Sequence, residues 1–176
     1  DKDPSESPYF GVPTLHKIGL RLTSECSKAI KNSGKTDSLT ALFEMKGGKL
    51  VHEKPIKHLM QSIFGDGSDE KLSFLKNKNV KGNKVCNHTI IVLPRIEACV
   101  ALKKLLSEFL HKDRHVYEIV SNNADFKDIG NLNNTLEALD AKGEKSIILT
   151  VNKWLTGVSF PCVDSMIFLK NASSPQ

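Results

Sequence analysis

Four polar residues near the carboxyl end of the chain, Thr150, Asn152, Lys153 and Thr156, carry hydroxyl, amide and ammonium groups that can donate hydrogen bonds to a backbone phosphate. Gly157 follows directly, and a residue without a Cβ permits close approach of a ligand or a second chain. Two apolar runs, 147 to 151 and 166 to 169, bracket this polar turn. It therefore falls where a buried strand ends, and open α/β sheets bind their ligands outside the carboxyl ends of their strands. The same Thr156-Gly157 pair would also serve to end a helical turn, with Pro161 opening a connector.

Two further segments have the same character. In Leu93-Pro94-Arg95-Ile96-Glu97 a strand runs into a helix start, where free backbone N–H groups and a guanidinium both direct donors at a phosphate. Arg95 equally suits a solvated helix start. In Val120-Ser121-Asn122-Asn123 the side chains of Ser121 and Asn122 could meet phosphates, and ordinary turn and capping chemistry accounts for them as well.

The elements that would position these residues alternate regularly. The pattern predicts strands at 88–93, 115–120, 146–151 and 163–169, helices at 96–110 and 129–141, and a short turn or helix at 152–157. Strand and helix in alternation argue for right-handed β-α-β units and a parallel sheet. Ahead of residue 86 the pattern is mixed: an alternating stretch from Thr14 to Leu22 reads as a strand, and Gly47-Gly48 marks a turn. Pro55 then opens a helix through Ile56, Leu59, Met60 and Ile63, closed by Gly65, and Ser68 or Asp69 could cap a further short helix.

The turn Thr156-Gly157-Val158-Ser159-Phe160-Pro161, after a strand ending in Thr150-Val151, resembles motif V of the second RecA-like lobe of superfamily 2 helicases and translocases. The restriction-enzyme-type branch is the nearest likeness, and Leu93-Pro94-Arg95 stands where that family has motif IV. The resemblance implies a RecA-like parallel sheet with flanking helices over residues 86–176, incomplete before motif VI, preceded by a connector over residues 1–85. It also implies a function: the nucleic-acid-binding second motor lobe of an ATP-dependent DNA helicase or translocase from a restriction-modification or mobile-element system, acting in the cytoplasm. The implied partners are DNA or RNA and a first RecA-like lobe, with ATP and Mg bound between the lobes of the intact parent. Gly157 and Ser159 would face the ATP interface, Ser159 standing where the family usually has an acid. No catalytic residue is assigned, and the chain alone is expected not to hydrolyse ATP, since phosphoryl transfer draws on a P-loop lysine, Mg²⁺ ligands and commonly an arginine finger. The alternative is a free-standing Rossmann-like binding or interaction module without ATPase function.

Composition narrows the field further. The net charge of +5 comes from 25 basic and 20 acidic residues, and the excess lies before residue 85. There Lys76, Lys78, Lys81 and Lys84 lie in an acid-free stretch rich in Asn and Gly, which reads as a solvated loop or as a phosphate-contacting one. The apolar runs are far shorter than the roughly 20 residues that span a bilayer. The four cysteines show no C-x-x-C spacing and read as reduced, buried structural thiols rather than as a metal site or disulfide framework. Gly34-Lys35-Thr36 imitates a phosphate-binding loop, yet Ala29 stands where that loop needs glycine. The pairs His52/His58 and His111/His115 lack a third metal ligand nearby, and Asp125, Asp128, Asp140 and Glu144 read as a solvated helical face.

Overall fold

The computed structural model describes residues 24–32, 34, 38–65, 87–110, 112–120, 125–126, 128–151 and 160–170. The anticipated strand at 14–22, the cap at Ser68 or Asp69, the lysine stretch 76–84 and the turn 152–157 lie outside them.

The sheet is built from β3 (His88–Val92), β4 (Arg114–Ile119), β5 (Lys145–Thr150) and β6 (Ser165–Phe168), all parallel in the order β4-β5-β3-β6. Every residue of β3 is buried, as are the last five of β5, which is why both read as near-continuous apolar runs: a central parallel strand is covered on both faces. Successive side chains alternate between two cores. Ile91, Ile147 and Leu149 pack on one face against Ala98, Leu102 and Leu106 of helix α4 (Ile96–Ser107). Ile90, Val92, Ile119 and Ile148 pack on the other against Leu132, Leu136 and Leu139 of α5 (Ile129–Lys142). This is the expected α/β class, a parallel sheet flanked by helices of the kind shared by RecA-like and Rossmann-like folds.

The connections explain how the helices start and stop. The Asp128 carboxylate accepts the Asn131 N–H at 2.8 Å and caps α5, and Gly143 ends it at φ 70, a left-handed conformation that costs glycine little. Helix α4 stops at Ser107, three residues before the anticipated end, because the N–H groups of Glu108 and Phe109 turn to carbonyls three residues back, tightening the last turn. Strand β6 is shorter than anticipated at its start: the Val163 N–H closes a turn on Phe160 O at 3.1 Å.

The preceding segment consists of α1 (Ser24–Asn32), α2 (Leu39–Leu42), a hairpin of β1 (Met45–Lys46) and β2 (Lys49–Leu50), and α3 (Glu53–Phe64). Gly47 and Gly48, at φ 57 and 74, supply the two left-handed residues that a two-residue hairpin turn requires. Ile30, Phe43, Ile56 and Met60 are fully buried and share one core with α4 and its face of the sheet. Arg114, at the start of β4, lies over the Phe64 ring at 5.4 Å, and burial pulls its pKa down to about 10, which leaves it charged at neutral pH. No helix among the described residues is long and apolar enough to cross a membrane.

Candidate nucleic-acid interface

The carboxyl edge of the sheet joins three strand ends. The Leu93 N–H donates to Thr150 O at 2.7 Å, tying the exit of β3 to the exit of β5, and the Thr150 hydroxyl donates to Ile119 O at 3.1 Å, tying in β4. The strand ends that precede the segments singled out from the sequence thus lie side by side.

Arg95 is exposed and extended (φ −145, ψ 149) at the amino end of α4, where its side chain makes no capping bond and its carbonyl accepts the Cys99 thiol. The first-turn N–H groups of α4 are therefore left without a side-chain cap, with a guanidinium beside them. Glu97 in the same turn brings an opposing charge. The amino end of α5 differs, since Asp128 already fills it with a carboxylate.

Thr150 departs from the expectation of a phosphate donor. It is buried, and its hydroxyl is committed to the β4 carbonyl, so it organises the sheet edge and does not present a donor to solvent. Ser121, Asn122, Asn152, Lys153, Thr156, Gly157 and Ser159 lie outside the described residues, and Arg95 and Thr150 lie within them.

Sequence reading missed a polar cluster at the end of β4. Asp125 accepts the Glu118 N–H at 2.6 Å and returns its own N–H to Glu118 O at 3.0 Å, closing the loop between them. The same carboxylate holds Lys103 Nζ with both oxygens, at 2.8 and 2.9 Å. The buried Glu118 side chain leaves Oε2 without a hydrogen-bond partner. Burial raises its pKa, Lys103 pulls it back and Asp125 adds to the rise. Burial, aided by Glu118, pushes the Cys99 thiol up to about 12, which removes it as a nucleophile. Nothing in the sequence spacing signals this group, because its members come from α4, β4 and a loop.

A second cluster lies at the opposite, amino edge. His88 Nδ1 is 2.9 Å from the Ser146 hydroxyl and its Nε2 is 3.2 Å from Asp140 Oδ1, which also accepts the Asn87 amide at 2.8 Å. Asp164 Oδ2 accepts the Asn87 and His88 N–H groups at 2.8 and 3.3 Å. An Asp–His–Ser series suggests hydrolysis on paper, but Ser146 and His88 are wholly buried, so no substrate carbonyl can reach the hydroxyl. Asp140 and Glu144, read as solvated, are partners instead, Glu144 meeting His115 at 2.8 Å. Among the described residues no group of three or more His, Cys, Asp or Glu is arranged to hold a metal.

Compared with known proteins, the chain matches no family model, no curated sequence and no solved structure.

Proposed function

We propose that the chain is the nucleic-acid-binding second motor lobe of a superfamily 2 helicase or translocase of the restriction-modification or mobile-element type. What supports this reading is the amino end of α4: an exposed Arg95 beside first-turn N–H groups that no side chain caps, one hydrogen bond away from the end of β5. In that reading the lobe holds a DNA or RNA strand by its phosphates at the carboxyl edge of the sheet. ATP and Mg belong to the interface with a first lobe, and the chain alone turns over no ATP. A second reading, a Rossmann-like binding module without ATPase function, is favoured by the carboxylates of Glu97 and Asp125 near the same edge, which oppose a polyanion.

Titration of a fluorescent single-stranded oligonucleotide at several salt concentrations separates the two. Each phosphate contact to a single strand contributes a salt slope of about 0.7, so two or three contacts give roughly 1.5 to 2. Replacing Arg95 or Lys153 by Ala should each lower that slope by somewhat under one unit, with the thermal melt unchanged. A parent protein whose affinity ignores salt, or variants that keep the parent's slope, would remove the helicase reading.

A further inference from the structure

Strand β6 ends the sheet. Its one strand neighbour among the described residues is β3, and no described strand pairs with its other edge. The Leu169 N–H donates to Val92 O at 2.9 Å, which fixes the phase of the ladder. With the register Ile91 to Ile167 and Val92 to Phe168, the peptide groups of Ser165 and Ile167 turn inward to β3, and those of Met166 and Phe168 turn outward. The same two residues carry exposed side chains, at 42% and 56%, on the α5 face of the sheet, opposite the face on which Ile167 joins the core. Edge strands are usually guarded by a charge, a proline or a bulge, and none interrupts Ser165-Met166-Ile167-Phe168.

The strand is complementary to itself. An antiparallel pair centred on Ile167 opposes Met166 of one copy to Phe168 of the other, twice. Both residues have outward N–H and C=O groups, so each pair can exchange two hydrogen bonds, and the thioether meets the aromatic ring on the same face. Asp164, whose carboxylate also accepts the Asn87 and His88 N–H groups, and Lys170 flank the strand at its two ends, and the antiparallel arrangement brings unlike charges near each other at both ends. A parallel arrangement would oppose like charges. We propose that β6 is a homodimer interface, joining two copies of this chain edge to edge about a twofold axis into one continuous eight-stranded sheet. A contact this short falls below the roughly 1,000 Å² of a stable interface, so the dimer is a weak one.

Sedimentation velocity of the whole chain between roughly 10 µM and 1 mM, a range suited to a small interface, should show a reversible monomer–dimer shift. Met166→Glu and Phe168→Lys should each keep the chain monomeric over that range while leaving its melting temperature unchanged, because both side chains are exposed in the monomer. Mixed in equal amounts they should form a heterodimer, since the introduced carboxylate of one variant then opposes the introduced ammonium of the other, and the original Phe168–Met166 pair is retained on the second side of the axis. Amide exchange at Met166 and Phe168 should slow as the parent's concentration rises. A parent that stays monomeric throughout, single variants that dimerise like the parent, or a mixture that fails to associate would each overturn the proposal.

Discussion

Thr150 illustrates how one side chain changes meaning with its surroundings. A threonine at the end of a strand, ahead of Asn152 and Lys153, reads as a phosphate donor, but the same position buries it between neighbouring strands, and a buried hydroxyl takes the nearest carbonyl. Thr150→Val should therefore cost about 1 kcal/mol in urea unfolding, the usual net worth of one hydrogen bond, and leave nucleic-acid affinity where it was. An affinity loss with unchanged stability would return Thr150 to the interface. Glu118 offers a second test at this scale. Because burial raises its pKa, the folded protein holds this proton to higher pH than the unfolded chain does. The stability tied to the protonated form is complete below the ordinary glutamate value and is lost as pH rises through the raised one. Glu118→Gln does not titrate, so it should gain on the parent as unfolding is followed from about pH 4 to about pH 8, where an ordinary glutamate passes from largely protonated to ionised. A stability difference that stays constant across that range would mean the carboxyl is solvated.

Between elements, the amino edge is the stronger junction. His88 begins β3, Ser146 lies at the start of β5, Asp140 lies in the last turns of α5 and Asp164 precedes β6, so one buried imidazole and its neighbours hold four elements in register. The Thr89 and Ser165 hydroxyls add a 2.7 Å bond between β3 and β6. His88→Ala removes the ring and leaves Ser146 and Asp140 without it, and should cost on the order of 2–3 kcal/mol, read as a fall in the denaturant midpoint. A change under about 0.5 kcal/mol would class His88 with ordinary surface positions. None of this was legible in the sequence. The strands themselves were, because Ile90 to Val92 and Ile147 to Leu149 are apolar without alternation and only a central parallel strand buries both faces. The helix ahead of the sheet announced itself through Pro55 and Gly65, which act within a few residues of themselves, whereas Asp128 read as a solvated residue and proved to be the cap of α5. Polar partners such as Asp140 and His88 are 52 residues apart, and their pairing exists only once the sheet order is set. The candidate site shares that limit: Arg95 could be found as a helix start, but the Lys103–Asp125–Glu118 cluster needs α4 laid against β4.

At the scale of the molecule, the break in pattern near residue 86 does not coincide with a break in the core. Phe43, Ile56, Met60 and Ile63 lie in the same buried cluster as Leu102, Leu105 and Leu106 of α4, so the segment ahead of the sheet forms part of the outer wall of one helix layer. The exposed Lys57–Glu108 pair at 3.8 Å also links the two, but exposed ion pairs contribute little, and the apolar contact decides the matter. Burying one such side chain stabilises by about 1.5 to 3 kcal/mol, and several are shared, against a total stability of only about 5 to 15 kcal/mol for an ordinary domain. The whole chain should therefore unfold in one transition, with fluorescence and circular dichroism giving the same midpoint. A chain beginning at Asn87 would keep all four strands yet bare the outer face of α4. It should retain far-ultraviolet dichroism, bind anilinonaphthalene sulfonate and melt over a broad range, the behaviour of a collapsed state without fixed packing. Two separate transitions in the full chain, or a sharp melt without dye binding in the shortened one, would show that the sheet and its two helices stand alone and that the preceding segment is a dispensable cover.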